Sequence, residues 1–155
     1  MKYCQETTKS HPLAISNSNC LQKINDIIKN EGGNTFPFNA NDIALNLDKV
    51  VIEKHLQNLC SMDMTIGISQ NNAKKMLLIE FKLNYRVPKN ISGKECKRKI
   101  QDSIKLLGQE IAISNTPIFI FKTNLLSQAK NILSRQLGIP KVEVLGIEDF
   151  RTNYF

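Results

Sequence analysis

Residues Asp63 to Leu83 read DMTIGISQNNAKKMLLIEFKL, and the reading of this stretch decides the fold. Its apolar residues alternate, the mark of a half-buried strand. In the first run Met62, Met64, Ile66 and Ile68 share one face, and Asp63, Thr65 and Gly67 share the other. In the second run Leu77, Ile79, Phe81 and Leu83 share one face, and Glu80 and Lys82 share the other with Met76 and Leu78. Between the runs, Asn71 and Asn72 supply turn chemistry, because Asn tolerates the left-handed backbone of a tight hairpin. A two-residue loop sets Gln70 opposite Ala73. Counting outward then sets Asp63 opposite Glu80. Opposed carboxylates repel across a sheet. The register therefore predicts a cation between them, and a divalent metal fits.

Working outward, residues 1–18 are polar and rich in Ser, Thr and Asn, which predicts a flexible arm. Residues 19–155 read as one domain, a size that buries a real core. Leu21, Ile24, Ile27 and Ile28 have helical spacing, ended by Gly32-Gly33. Asn39 or Asn41 is placed to cap a helix carrying Ile43, Ala44 and Leu47. Asp48 is placed to cap the next, with Val51, Ile52, Leu56 and Leu59 facing inward. Residues 19–48 are thus expected to be extra helices ahead of a 49–150 core. After the hairpin, Lys94 to about Ile111 predicts a helix burying Cys96, Ile100, Ile104 and Leu107. Pro117 then opens IFIF, a run suited to a strand buried on both faces. Leu126, Ala129, Leu133 and Leu137 predict a helix ended by Gly138 and Pro140, and Val142 to Ile147 a last strand.

The hairpin residues suit phosphodiester hydrolysis, which needs an activated water, neutralised charge at phosphorus and a stabilised leaving oxygen. Mg²⁺, or Mn²⁺ in its place, supplies all three. Mg²⁺ takes oxygen ligands and keeps several waters, so one or two carboxylates suffice. Asp63 and Glu80 are the expected ligands, with the Phe81 carbonyl between Glu80 and Lys82 as a third oxygen. Lys82 projects to the same face as Glu80 because side chains alternate along a strand, so its ammonium reaches the water or the scissile phosphate.

An Asp on one strand, a hairpin, then Glu-x-Lys on the next resembles the PD-(D/E)xK nuclease superfamily, matched by Asp63, Glu80 and Lys82. Met62 stands where that motif begins with Pro. The resemblance covers about residues 49–150. It implies a restriction-endonuclease-like α/β fold, a mixed sheet flanked by helices, and a metal-dependent nuclease. In such proteins the helix after the hairpin carries a Gln or Lys near the site, and Gln101 in KRKIQDSIKLLG is similar. The helix before the hairpin often brings a Glu, for which Glu53 is the candidate. Strand, helix and strand follow, as in TPIFIF, SQAKNILSRQLGI and KVEVLGIEDF.

The formal net charge is +7, which favours a polyanionic partner, nucleic acid ahead of a membrane surface. Lys94, Lys97, Arg98, Gln101 and Lys105 form one stripe of the predicted helix, and Lys75 and Arg86 lie near the hairpin ends. Such a stripe neutralises backbone phosphates without reading bases. DNA is the expected substrate, and cutting both strands would call for two sites, as in a homodimer. No apolar run has transmembrane length and no secretory core follows Met1, so the expectation is a cytoplasmic protein with no membrane partner. Cys4, Cys20, Cys60 and Cys96 are scattered without CxxC spacing and are expected as reduced thiols. Two alternatives compete. The helices before the hairpin resemble a winged helix-turn-helix, with Lys49 to Leu59 in the major groove and the hairpin as the wing. A nuclease fold without catalysis, binding a protein partner as an immunity or accessory module, is the other.

Overall fold

A computed structural model describes residues 1–137 and 142–155. The chain begins with strand β1 (Lys2–Tyr3), helices α1 (Gln5–Ser10) and α2 (Pro12–Ser16), strand β2 (Leu21–Lys23) and helix α3 (Ile24–Asn30). Strand β3 (Ile43–Asn46), helix α4 (Leu47–Glu53) and strands β4 (Met64–Gln70) and β5 (Ala73–Phe81) follow. Helix α5 (Gly93–Leu107), strand β6 (Ile118–Ile120), helix α6 (Leu126–Leu137), strand β7 (Glu143–Leu145) and helix α7 (Ile147–Tyr154) complete it. Among the described residues the seven strands form one mixed sheet in the order β2-β3-β4-β5-β6-β7, with β1 also beside β4. Strands β2 to β5 run antiparallel, and β6 and β7 run parallel to β5.

The hairpin forms in the expected register. Asn71 and Asn72 take φ of 49° and 66°, and Gln70 pairs with Ala73. The ladder ends with Met64 opposite Ile79, and Asp63, just ahead of β4, reaches β5 through its carboxylate, which accepts the Phe81 N–H. The hairpin lies in the middle of the sheet with β3 and β6 at its flanks. This excludes its use as the projecting wing of a winged helix.

Helices cover both faces of the sheet. On one face Met76 and Leu78 pack with Cys96, Ile100 and Leu107 of α5 and Ala129 and Leu133 of α6. On the other, Leu77, Ile79 and Phe81 pack with Ile24, Ile27 and Ile28 of α3 and Phe150 of α7. The IFIF run divides as a doubly covered strand must: Ile118 and Ile120 enter one cluster, Phe119 and Phe121 the other. Burying each such side chain contributes about 1.5–3 kcal/mol.

Several expectations are corrected. Ile43 and Ala44 lie on β3, not on a helix, because they continue an antiparallel ladder against both β2 and β4. The α4 cap is Asn46, whose Oδ1 accepts the Lys49 N–H at 2.8 Å, rather than Asp48. Leu47 and Val50 are buried on α4 while Ile52 is exposed. Met62 belongs to the cluster opposite Met64, since its N–H is drawn to Ser103 Oγ of α5. Ser103 is accordingly buried and Ile104 exposed. The last strand, expected over Val142 to Ile147, ends at Leu145, and Ile147 opens helix α7, which buries Phe150. The expected stop at Gly138 and Pro140 lies outside the described residues.

Residues 1–18 are not a loose arm. Strand β1 pairs Lys2 with Ser69 and Tyr3 with Ile68 of β4, while β3 pairs with Met64 and Thr65 further along the same edge. Gly67 falls between them. Its carbonyl accepts the Cys4 N–H at 2.8 Å, and its N–H donates to Thr8 Oγ1 at 2.8 Å. A Cβ at Gly67 would lie 2.5 Å from Thr7 Cβ and 2.6 Å from the Thr8 backbone nitrogen. The Thr residues serve close packing here, not solvation. Gly67→Ala is expected to cost about 1–3 kcal/mol through this overpacking, read as a lower urea midpoint. An unchanged midpoint would mean that α1 does not hold this position.

His11 is fully buried, and its Nδ1 accepts the Leu13 N–H at the start of α2. Burial holds its pKa below the ordinary value of 6.5. The unfolded chain therefore takes up the proton first, and His11 contributes stability that is lost as pH falls below 6.5 toward the folded value. The loss of stability between pH 7 and pH 5 should be smaller in His11→Asn, which keeps a capping acceptor and cannot titrate. Equal losses in paired urea titrations would remove His11 from the pH response.

Candidate functional site

The end of the hairpin away from its turn carries the densest buried charge among the described residues. Glu80 is 1 % exposed, Asp63 4 % and Lys82 7 %. Asp63 Oδ2 accepts the Phe81 N–H at 2.6 Å, which points its carboxylate along the Glu80 side of the hairpin. Glu80 Oε1 accepts from Lys82 Nζ and from Lys99 Nζ, both at 2.7 Å. Lys99 Nζ also lies 3.6 Å from Asp63 Oδ1. Glu80 Oε2 is buried and has no hydrogen-bond partner.

Two more carboxylates arrive from the elements expected to be extra helices. Glu31 caps the C-terminus of α3. Gly32, at φ +81°, then turns the chain against the loop after β5, so closely that a Cβ would sit 1.9 Å from Asn84 Oδ1. Asp48 enters on the first turn of α4, where the Leu47 N–H binds the Asp63 carbonyl, and accepts a hydrogen bond from Ser61 Oγ. Carboxylate oxygens of Glu31, Asp48 and Asp63 lie within 4.8 Å of one another, a spacing that one cation can bridge. Glu31, Asp63, Glu80, Phe81, Lys82 and Lys99 border a pocket of about 140 Å³. No protein-family model, curated protein or solved structure matches the chain. What the site does has to be read from its own chemistry.

The electrostatics point one way. Burial, then the Glu80 charge, pushes Asp63 up to about 8. Glu31 is raised by burial, then by Asp48 and Glu80. Burial alone would lower both lysines, but the Glu80 carboxylate outweighs it and raises Lys82 and Lys99, with Asp63 adding to Lys99. Four carboxylates against two ammoniums leave an excess of two negative charges when all are ionised. Neighbouring like charges disfavour ionisation unless a cation joins them.

Not every expected residue reaches this pocket. Gln101 is exposed and lines a shallow surface groove with Lys94, Lys97 and Arg98. Lys99 of the same helix takes the inward place instead. Two residues on a helix are about 200° apart, so Lys99 and Gln101 face opposite ways. The one signal for Lys99 in the sequence was its place three residues after Cys96, expected on the buried side; that Ser103 and not Ile104 is buried turns this face further toward Lys99. Glu53 is also displaced. Its Oε1 accepts from Asn19 Nδ2 at 2.6 Å, at the far end of α4 from Asp48. Lys75 pairs with Ile68 near the turn, five residues or about 17 Å along the strand from Glu80. Arg86 is exposed in the loop after β5. Lys105 is exposed and pairs with Asp102, as does Arg98.

The four cysteines are free thiols. No helix of the described residues is long and apolar enough to cross a membrane.

Proposed function

We propose that this chain is a metal-dependent nuclease that hydrolyses phosphodiester bonds of DNA, with Mg²⁺ or Mn²⁺ as its cofactor. One observation carries the reading: the unpartnered, buried Glu80 Oε2 in a pocket where Glu31, Asp63 and Glu80 meet two lysines, with Asp48 beside Glu31 and Asp63. A buried carboxylate oxygen without a donor costs free energy unless something positive approaches it. Hard divalent cations take such all-oxygen sets.

Glu31, Asp48 and Asp63 would hold the ion, and Glu80 Oε2 would accept from its water. Bound there, the ion supplies Lewis acidity at phosphorus and a water of lowered pKa. Lys82 and Lys99, fixed by Glu80 Oε1, offer their remaining N–H donors to the non-bridging oxygens of the scissile phosphate. Lys94, Lys97 and Arg98 on the outer side of α5 neutralise neighbouring phosphates.

The proposed kinship is with the PD-(D/E)xK superfamily and its restriction-endonuclease-like fold. Support comes from Asp63 ahead of β4, Glu80 and Lys82 at the end of β5, and Lys99 on the following helix. Glu31 from a preceding helix and the run β6-α6-β7 add to it.

The test is incubation of the purified protein with plasmid and linear DNA in Mg²⁺ or Mn²⁺, with RNA in parallel. Cleavage that EDTA abolishes is expected. Intact DNA in both metals, with a protein partner recovered in stoichiometric complex, would replace this reading with the non-catalytic module.

A further inference from the structure

A second cavity, of about 270 Å³, shares Leu83 with the carboxylate pocket. One wall is the Gly32–Thr35 loop, another the chain from Phe121 to Thr123, and a third the start of α7 at Ile147 and Glu148. It therefore lies beyond the carboxyl ends of β5, β6 and β7, the side on which open α/β sheets take ligands. Gly32 follows Glu31 and Leu83 follows Lys82, so two of its linings are one peptide unit from the reaction pocket. The two pockets are therefore neighbours with a shared wall at Leu83.

The cavity is smaller than the roughly 300–1,000 Å³ of sites that enclose whole drug-sized ligands, and suits one flat heterocycle. Leu83, Phe121 and Ile147 supply its apolar lining, and Asn34, Lys122, Thr123 and Glu148 its polar groups. The Glu148 carboxylate offsets the Lys122 ammonium, so the lining carries no net positive charge to select a second phosphate. The carboxylate suits the exocyclic amino group of a base, as acidic side chains do with cytosine. Phe36 follows Thr35 at the cavity's edge and is 45 % exposed, an aromatic surface on which a base can stack.

We propose that this cavity takes one unstacked nucleobase of the substrate strand, next to the scissile phosphate, with Phe36 stacking on the base beside it. The proposal rests on the nuclease reading and narrows its substrate. A base enters only after leaving its helix, which is easiest where it is mismatched or single-stranded. The substrate class is DNA with unpaired nucleotides.

The experiment has two arms on the intact chain. In the first, isotope-labelled protein in EDTA is titrated with deoxyadenosine monophosphate, then with deoxyribose 5-phosphate, and amide shifts are followed. Gly32, Gly33, Thr35 and Thr123 should shift with the nucleotide and not with the sugar phosphate. Shifts confined to Lys94, Lys97 and Arg98, or equal shifts with both probes, would overturn the base site. In the second, cleavage in Mg²⁺ of a duplex carrying one unpaired nucleotide should exceed that of the fully paired duplex by roughly tenfold or more. Phe36→Ala should lose most of that preference. Equal cutting of both duplexes by the unaltered protein would also overturn the proposal. If no DNA is cut while the cavity amides still respond to the nucleotide, the nuclease reading falls and the base site is upheld.

Discussion

The Glu80→Gln protein is expected to fold, to bind DNA and not to cut it. Gln keeps the shape and an oxygen that Lys82 and Lys99 can donate to, but removes the charge that fixes both ammoniums and the free oxygen proposed to accept from the water of a bound ion. Removing one preorganised electrostatic group typically lowers turnover by about 10²–10³, and Glu80 serves both the ion and the lysines. Lys82→Met should fall at least as far, because it takes a cation from the phosphate and leaves Glu80 with Lys99 alone. Glu80→Ala is the poorer variant, since two buried ammoniums then face each other without a counter-charge. Supercoiled-plasmid cleavage, with far-UV circular dichroism and a gel shift to verify folding and binding, is the measurement. A Glu80→Gln protein that cuts within threefold of the native rate removes the proposed site.

Lys99→Met should unfold the metal-free protein more readily than any surface substitution. Lys99 lies against both Glu80 and Asp63, and with Lys82 still on Glu80 the loss of this charged hydrogen bond costs about 1.5–3 kcal/mol. The carboxylates left behind are still able to gain a counter-charge from solution. Mg²⁺ is therefore expected to restore part of the lost stability, and to stabilise the variant more than the native protein. Urea titrations in EDTA and in Mg²⁺ measure all four states. If the variant matches the native midpoint in EDTA, Lys99 is not the charge that balances this pocket. If Mg²⁺ moves neither midpoint, the carboxylates do not form a cation site.

The hairpin was legible because two constraints agreed on it. Strand alternation set which faces are buried, and the Asn71-Asn72 turn set the register that brings Asp63 to Glu80. The paired fate of Ile118 and Phe119 was legible for a similar reason, as a strand covered on both faces needs no polar side. Glu31 and Asp48 were not legible. They come from a helix end and a helix start whose meeting depends on β3, and β3 itself looks helical because Ile43, Ala44 and Leu47 fall at helical spacing. Tertiary pairing overrode that local pattern. The N-terminal Thr residues misled through composition, since a small polar side chain packs tightly against a glycine as readily as it meets water. Gln101 came from the resemblance, which places a Gln or Lys on this helix, and the resemblance does not say which face of the helix is turned inward; Lys99 is the residue that faces the buried acids.

Strand β4 has no open backbone on its outer side. Strand β3, the Cys4–Thr8 segment and β1 cover it in succession. What remains at the margins of the described sheet is β1, of two residues, and β2 and β7, of three each. Short margins give a second polypeptide little ladder to extend. A chain rich in Ile and Leu thus carries its longest apolar strands where another copy cannot add to them, and its N-terminal residues protect against self-association as much as they complete a core.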